Sequence, residues 1–243
     1  MAVHWLNHAL CISQSFCLVD FEVLRNPLLR QAQRQNDCGH LKNDMTMILK
    51  EFIKQFDKPN SIVLLEGKRN VLEVDKEKLT ALGRLLASTT KSMIFRSGNA
   101  NGSDQLFSDG VTELDNKRLQ VIIPYTRHRQ KTNQASDTIS LDDINIAAEQ
   151  EVLYQSKSNK KTENIIDKFA SGEKNRYTIA AAYIIRDTIK VIGTGDIKPA
   201  TFGIFYDDLE NPKTGGTGHT MNVCENNNIP FFDQKTWFKW LTE

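Results

Sequence analysis

The sequence predicts an α/β fold with three layers, in which a mainly parallel sheet lies between two layers of helices. Short apolar runs alternate with amphipathic segments from residue 59 onward, and this alternation is the pattern of right-handed strand–helix–strand crossovers. Two glycine-rich stretches, residues 97–104 and 214–220, each follow an apolar run and precede a predicted helix. In open parallel sheets such turns lie at the carboxyl ends of the strands, where ligands bind.

Residues 1–58 are predicted to form an N-terminal extension that ends in a helix. Residues 1–40 show no clear periodicity, but apolar residues recur at three- and four-residue spacing over residues 41–56, which indicates an amphipathic helix. The apolar positions of this helix are Met45, Ile48, Leu49, Phe52, Ile53 and Phe56. Pro59 lies just after this segment and ends it.

The domain that follows, residues 59–243, is predicted to hold four strands and their connecting helices. Each strand is a short apolar run of the kind that is buried on both faces of a parallel sheet. The predicted strands are residues 61–66, 91–95, 119–123 and 200–206. The predicted helices are residues 75–88, 104–114, 176–190 and about 215–227. The strand–helix pattern loosens over about residues 126–175, which predicts a helical insertion, and the aromatic C-terminal segment is expected to pack back onto the domain.

Composition limits the class of protein and its partners. The chain has 243 residues, of which 40% are hydrophobic, and a formal charge of +1. A charge so close to balance gives little non-specific attraction to a polyanion, so nucleic acid is a less favoured partner than a small molecule. No apolar run approaches the roughly 20 residues that span a membrane, and residues 1–20 lack a secretory signal pattern. We therefore expect a cytoplasmic protein with no membrane partner.

The cysteines give no sign of a metal site. Cys11, Cys17, Cys38 and Cys224 form no CxxC pair, and His40 beside Cys38 makes at most half of a zinc site. Free thiols in a reducing compartment are expected. We predict no metal and no resident cofactor.

Three polar turns after predicted strands are the candidate ligand site. Glycine allows close backbone approach, and the first turn of the next helix has unpaired amides and a partial positive charge, so these turns are suited to a phosphate. The predicted ligand-binding residues are Gly67, Lys68, Arg69, Ser97, Gly98, Asn99, Ala100, Gly102, Ser103, Asp104, Gly215, Gly216, Thr217, Gly218 and Thr220. Tight turns alone would also explain the glycines, and Asp104 can equally be a charge partner at a helix start or a contact to a ribose hydroxyl. Neither stretch is a Walker loop or a full dinucleotide fingerprint.

These turns resemble those of a known superfamily. Residues 67–69, 95–104 and 215–220 together are similar to the Rossmann-like superfamily (SLOG type) that joins the Lonely Guy proteins, the lysine-decarboxylase-like proteins and the Rossmann domain of DNA-processing protein A. The resemblance covers about residues 60–235. It implies a Rossmann-like fold that binds a nucleotide or a nucleotide-derived ligand, a homodimer, and in some members a sensor role in bacterial or phage conflict systems.

The same resemblance marks residues for catalysis. In the Lonely Guy pattern an arginine on the preceding helix and a glutamate after the glycine turn act on the N-glycosidic bond. Arg186 matches the arginine, but Asn222 stands at the glutamate position, and an amide cannot serve as the base. Glu225 and His219 are the candidate replacements, although His219 can also donate a hydrogen bond to a phosphate. Arg186 can equally be an anion clamp or an ion-pair partner of Asp187.

Two further clusters have both a functional and a structural interpretation. Arg127, His128, Arg129 and Lys131 follow the third predicted strand; they form either a solvated loop or a contact to a second phosphate or a single DNA strand. Asp207 and Asp208 are either Mg²⁺ ligands or turn residues, and the turn is the simpler explanation.

The leading prediction is a sensor or regulatory domain that binds a nucleotide or nucleoside phosphate. The alternatives are a phosphoribohydrolase or related N-glycoside hydrolase, and single-stranded DNA binding of the kind known for DNA-processing protein A.

Overall fold

The computed structural model describes residues 47–243. The predictions for Cys11, Cys17, Cys38 and His40, and for the extension before residue 47, lie outside the described residues. No helix within residues 47–243 is long and apolar enough to cross a membrane.

A six-stranded sheet with the order β4-β3-β2-β1-β5-β6 forms the centre of the molecule. Every neighbouring pair in this sheet is parallel. The strands are β1 (Ile62–Gly67), β2 (Ile94–Ser97), β3 (Leu119–Ile123), β4 (Asp137–Ser140), β5 (Phe202–Tyr206) and β6 (Phe231–Phe232). The chain builds the sheet outward from β1 to β4 and then returns to place β5 on the other side of β1. The register pairs Val63 of β1 with Phe202 of β5.

Helices cover both faces of the sheet, which confirms the predicted three-layer, Rossmann-like α/β fold. They are α1 (Leu49–Phe56), α2 (Glu73–Thr89), α3 (Ser103–Asp115), α4 (Gln150–Ser156), α5 (Glu163–Ala170), α6 (Ile179–Ile192), α7 (Gly215–Asn226) and α8 (Gln234–Trp237). Val63 and Leu65 of β1 pack on the face that α1, α2 and α3 cover. Leu64, between them, packs on the opposite face with α6 and α7. The apolar run of β1 is therefore buried on both faces, as a central parallel strand requires.

The C-terminal segment packs back onto the sheet, as predicted. Trp237 and Trp240 are buried. The indole Nε1 of Trp237 donates to the carbonyl of Phe205 at 2.9 Å, and that of Trp240 donates to Met47 at 2.7 Å. The ring of Trp240 also lies 4.8 Å from that of Phe52, so α1 packs against the C-terminal segment.

The segment predicted as a helical insertion, about residues 126–175, also contains a strand. The segment contains α4 and α5, but it also contains β4, which pairs with β3 through Gln120 and Asp137. β4 is four residues long and its first two side chains are exposed. A short edge strand with exposed polar residues has no apolar periodicity, because its stability comes from pairing with a strand that is distant in sequence.

The second strand begins later than predicted, at Ile94 rather than at residue 91. The carboxylate of Asp57 accepts hydrogen bonds from the amides of Lys91, Ser92 and Met93 at 2.9, 2.7 and 3.1 Å. Because these three amides donate to a side chain, they are not available for pairing with a strand, and the residues form a turn. The strand continues instead through Arg96 and Ser97, both of which are buried.

Candidate functional site

A cavity of about 420 Å³ lies at the carboxyl edge of the sheet. Its walls come from the end of β1, the turn after β2, the helix α6 and the start of α7. The lining residues are Glu66, Gly67, Lys68, Arg69, Ala100, Asp104, Ala180, Tyr183, Ile184, Arg186, Asp187, Lys190, Thr214, Gly215, Gly216 and Thr217. Strand order reverses between β1 and β5, and this reversal is where open α/β sheets bind their ligands.

The second glycine stretch forms the first turn of α7. Gly215 has a φ of +61°, a conformation that favours glycine. The amide of Gly218 donates to the carbonyl of Thr214 at 3.0 Å, so the amides of Gly215, Gly216 and Thr217 precede the first intrahelical bond. These three residues line the cavity. The start of α7 therefore presents the amides and partial positive charge that suit an anion.

Asp207 and Asp208 shape the loop between β5 and α7. Asp207 Oδ2 accepts from the amide of Lys213 at 2.8 Å, and Asp208 Oδ1 accepts from the amides of Glu210 and Asn211 at 3.1 and 3.2 Å. These are turn contacts, in agreement with the simpler of the two interpretations. Within residues 47–243 no group of three or more His, Cys, Asp or Glu side chains is placed to hold a metal ion.

The first glycine stretch folds around a carboxylate of the protein itself. Asp104 accepts hydrogen bonds from the amides of Gly98 at 3.1 Å, Ala100 at 3.3 Å and Gly67 at 3.3 Å. The hydroxyl of Ser103 donates to the carbonyl of Lys68 at 2.7 Å. Asp104 is thus neither a simple helix cap nor a free side chain, because it joins the turns that follow β1 and β2.

A buried ionic cluster forms the floor of the cavity. Lys190 Nζ lies 2.5 Å from Glu66 Oε1 and 2.7 Å from Asp187 Oδ1. Arg186 donates to Asp187 Oδ1 at 2.7 Å and to the carbonyl of Gly98 at 2.7 Å. A Cβ on Gly98 would lie only 2.9 Å from Arg186 Cζ. The guanidinium is therefore held inside the protein, and the predicted ion pair with Asp187 is present.

The charges of this cluster shift the titration of its members. Burial raises the pKa of Glu66 to about 7, because the attraction of Lys190 does not offset the loss of hydration and Asp104 and Asp187 add like charge. Burial opposes the charge of Lys190 too, but Asp187 and Glu66 together raise its pKa. Burial is likewise outweighed at Asp187, whose pKa is lowered by Arg186 and Lys190. Lys190 and Asp187 therefore stay charged at neutral pH, while Glu66 is close to its midpoint.

The structure brings together only part of the predicted site. Gly67, Lys68, Arg69, Ala100, Asp104, Gly215, Gly216 and Thr217 line the cavity, as does Arg186. The predicted residues that do not line it are Ser97, Gly98, Asn99, Gly102, Ser103, Gly218, Thr220, His219 and Glu225. Gly98 nevertheless lies directly against Arg186, and Gly216 lies near Asp187, so the two glycine stretches meet at one ionic cluster.

His219 and Glu225 make contacts elsewhere. His219 Nε2 lies 2.9 Å from the hydroxyl of Thr188, between α6 and α7, and burial lowers its pKa so that it is neutral at pH 7. Glu225 is exposed and forms an ion pair with Lys213. The hydroxyl of Thr220 donates to the carbonyl of Gly216 at 3.1 Å, a bond within α7. Of the three predicted catalytic residues, only Arg186 reaches the cavity.

A cluster of three rings, those of Tyr125, His128 and Tyr183, adjoins the cavity on the side of the basic loop (residues 127–131). The ring of His128 lies 4.9 Å from that of Tyr125 and 5.6 Å from that of Tyr183. Burial and the nearby charges of Arg186, Arg129 and Arg69 lower the pKa of His128 to about 4, so it is neutral at pH 7. His128 is thus a packed side chain, whereas Arg127 and Lys131 of the same loop are exposed.

The predicted site residues omit seven that line the cavity: Glu66, Ala180, Tyr183, Ile184, Asp187, Lys190 and Thr214. The sequence contained a signal for the three charged residues, Glu66, Asp187 and Lys190. Glu66 ends an otherwise apolar strand, and Asp187 and Lys190 interrupt an apolar helix at a spacing of three residues. Buried charges need partners, so charges inside such segments predict an ionic cluster.

Comparisons with known proteins found solved structures that are similar to this chain. No family model matches the sequence, and no curated protein matches it. The DNA processing protein A of Helicobacter pylori, whose single-stranded DNA binding has been described, is 16% identical with a TM-score of 0.39, over 74% of this chain and 67% of that one. The DNA processing protein A of Streptococcus pneumoniae is 12% identical with a TM-score of 0.39, over 74% of this chain and 51% of that one.

Proposed function

We propose that this chain binds a nucleotide or nucleoside phosphate in the cavity at the carboxyl edge of the sheet, as a sensor or regulatory domain. The observation that carries the proposal is the start of α7, whose amides open into a cavity at the point where strand order reverses. A phosphate is the anion that this combination most commonly holds.

Two cations oppose the start of α7 and complete the proposed phosphate subsite. Lys68 and Arg69 follow β1 and line the same cavity. The Lys68 side chain is one-quarter exposed and lies 3.5 Å from Asp208, and Arg69 is exposed. Both side chains retain donors for a phosphate, whereas the buried Arg186 uses its donors on Gly98 and Asp187. We therefore assign the phosphate to Lys68 and Arg69 rather than to Arg186.

The rest of the cavity suits a nucleoside. Tyr183 supplies an aromatic wall against which a base can pack. Glu66 and Asp187 supply carboxylates in the floor, which can accept hydrogen bonds from ribose hydroxyls. A volume of about 420 Å³ is within the range of small-molecule sites, which starts at about 300 Å³.

The placement of Glu225 and His219 favours binding without turnover. N-glycoside hydrolysis needs an acid or base within hydrogen-bond reach of the reacting bond, and these two side chains are engaged away from the cavity. We expect no release of free base from bound nucleotides. Release of base that is lost in Arg186→Ala would instead support the hydrolase alternative.

Single-stranded DNA is the second candidate, and the basic loop after β3 favours it. Arg127 and Lys131 are exposed, and Arg127 and Arg129 have left-handed φ angles of 65° and 48°. A strand whose one phosphate occupied the cavity could continue over these cations. Such binding would weaken steeply with salt, whereas a single nucleotide in the cavity would depend on salt only weakly.

Isothermal titration calorimetry tests the proposal. Adenosine, guanosine, cytidine and uridine monophosphates, ribose 5-phosphate and a 20-nucleotide DNA strand would be titrated into the protein. We expect at least one monophosphate to bind, and Arg69→Ala to weaken it about tenfold, as is typical when a charge-assisted contact is lost. Lys160→Ala, at an exposed cation between α4 and α5, is the matched control and should change nothing. No binding by any of these ligands would refute the proposal.

A further inference from the structure

A second cavity, of about 300 Å³, lies at the opposite edge of the sheet. Its lining includes Ile62, Ile94, Leu119 and Asp137, which are the first residues of β1, β2, β3 and β4. Because all these strands are parallel, their first residues lie at the amino edge. The second cavity is therefore separate from the proposed nucleotide site at the carboxyl edge.

A buried arginine forms part of its wall. Arg96 of β2 has only 1% of its surface exposed, and no carboxylate within residues 47–243 forms an ion pair with it within 4.0 Å. Burial lowers the pKa of Arg96 to about 10, so the guanidinium is still charged at neutral pH. Buried charges are normally paired. Arg96 lines a cavity but forms no ion pair within residues 47–243, and a bound anion would supply one.

The hydrogen bonds of Arg96 leave one guanidinium nitrogen for a ligand. Nε donates to Gln120 Oε1 at 2.6 Å, and Nη1 donates to the carbonyls of Lys190 and Lys198, both at 2.9 Å. Nη2 is not used in these contacts. Two acids, Asp137 and Asp196, also line the cavity, but neither forms an ion pair with Arg96. Asp137 is joined to Arg96 through Gln120, whose Nε2 donates to Asp137 at 2.6 Å. Asp137 therefore orients Gln120 rather than pairing with Arg96.

The remaining walls indicate the class of ligand. Ile62, Leu119 and Ile197 are buried apolar residues of the lining, while Lys117 and Lys198 are exposed cations that also line the cavity. A tetrahedral phosphate dianion needs donors on several sides. Beside the buried Arg96 the walls are apolar, because Lys117 and Lys198 are exposed. A carboxylate needs fewer donors, and its organic body would cover the apolar wall.

We propose that this second cavity binds a small organic acid, with its carboxylate on Nη2 of Arg96 and its apolar body against Ile62, Leu119 and Ile197. Lys117 and Lys198 attract the acid electrostatically at the rim. The ligand supplies the direct ion pair that neither Asp137 nor Asp196 forms with Arg96. This site does not depend on the nucleotide proposal.

NMR titration of the full chain with benzoate, phenylacetate and hexanoate tests the inference, with benzamide as the neutral control and inorganic phosphate as the alternative anion. We expect saturable shifts at the Arg96 Nε–H and the Gln120 side-chain amide with at least one carboxylate, and none with benzamide. The double variant Lys117→Glu/Lys198→Glu should weaken binding at least about tenfold. Lys160→Glu, an exposed charge reversal elsewhere, should not.

Each other outcome overturns the inference. Equal binding of benzoate and benzamide would mean that the cavity recognises only an apolar ring. Binding of phosphate but of none of the three carboxylates would show that the proposed ligand class is wrong. No saturable shift with any of the three acids would show that the cavity does not bind organic acids. Arg96→Lys, which keeps a buried cation but loses the guanidinium geometry, should weaken the carboxylate. Unchanged affinity in a folded Arg96→Lys protein would exclude Arg96 as the contact.

Discussion

The carboxylate of Asp104 accepts a hydrogen bond of 3.1 Å from the amide of Gly98, so the glycine-rich turn after β2 closes on an anion of the protein itself. Within residues 47–243, no carboxylate accepts from the amides of Gly215, Gly216 and Thr217 at the start of α7, because Asp207 and Asp208 bind amides earlier in the loop. Two stretches that look alike in the sequence thus have different roles: the first joins two strand ends, and the second opens into the cavity.

Asp104→Asn should destabilise the fold. Asp104 is buried and accepts from three backbone amides, and asparagine keeps only one acceptor oxygen while its NH₂ group opposes an amide donor. We expect a loss of about 2 kcal/mol in the free energy of unfolding, measured by urea denaturation. Asp143→Asn, at an exposed site, is the control. Equal stability of the two variants would show that the turn does not need the Asp104 charge.

Gly216→Val should abolish nucleotide binding without unfolding the protein. A Cβ on Gly216 would lie 3.2 Å from Asp187 Oδ2, a close contact that a small shift relieves, and the valine methyl groups would project toward the proposed phosphate. Gly195→Val is the matched control, because a Cβ on Gly195 meets nothing within 4 Å. Calorimetry should show binding in the control variant only. Tight binding in both would place the phosphate elsewhere.

Glu66 should make stability depend on pH. Its pKa is raised from 4.5 to about 7 in the folded state, so between these pH values the folded protein holds a proton that the unfolded chain has lost. The contribution of Glu66 to the free energy of unfolding is therefore fully present below pH 4.5 and falls as pH rises to about 7. Glu66→Gln removes this decline. The free energy of unfolding of the variant should therefore increase relative to that of the wild type between about pH 5 and about pH 8, a range that brackets the shift. Denaturation curves whose difference is the same at every pH would contradict this expectation.

Loss of a buried cation should cost much more than loss of an exposed one. Lys190 is 1% exposed and faces both Glu66 and Asp187. Lys190→Met leaves Glu66 without its cation and Asp187 with Arg186 alone, and it should cost about 3–5 kcal/mol. Lys213, whose side chain is 41% exposed, pairs with Glu225, and Lys213→Ala should cost less than about 1 kcal/mol. Urea denaturation measures both. Similar losses would mean that the ionic cluster does not hold the cavity floor together.

The sequence alone was sufficient to predict the strands whose positions are determined by their own residues. β1 and β3 are apolar and buried on both faces, so their positions were predicted to within a residue. β4 was missed because Asp137 and Thr138 are exposed, and only pairing with β3 makes them a strand. The start of β2 was misplaced because Asp57, more than thirty residues earlier, holds the amides of Lys91 and Ser92. Such contacts depend on the fold and leave no local pattern.

The candidate site was likewise predictable only in part. The convergence of the turns after β1 and β5 follows from parallel strands, and the glycines marked both turns. The ionic floor was not predicted, because the approach of Glu66 in β1 to Lys190 in α6 depends on how the helix packs on the sheet. His219 and Glu225 were assigned from their positions in a motif, and the direction of a side chain on a helix decides whether such a position reaches a ligand.

The pairing of Val63 with Phe202 sets the order in which the molecule can assemble. β1 is made before β5, one of its two neighbours, which lies about 140 residues further along the chain. During synthesis, the edge of β1 that will face β5 therefore stays open until β5 has left the ribosome. Contacts so distant in sequence slow folding and expose an incomplete sheet to aggregation, so truncation before residue 202 should yield a chain that chaperones retain.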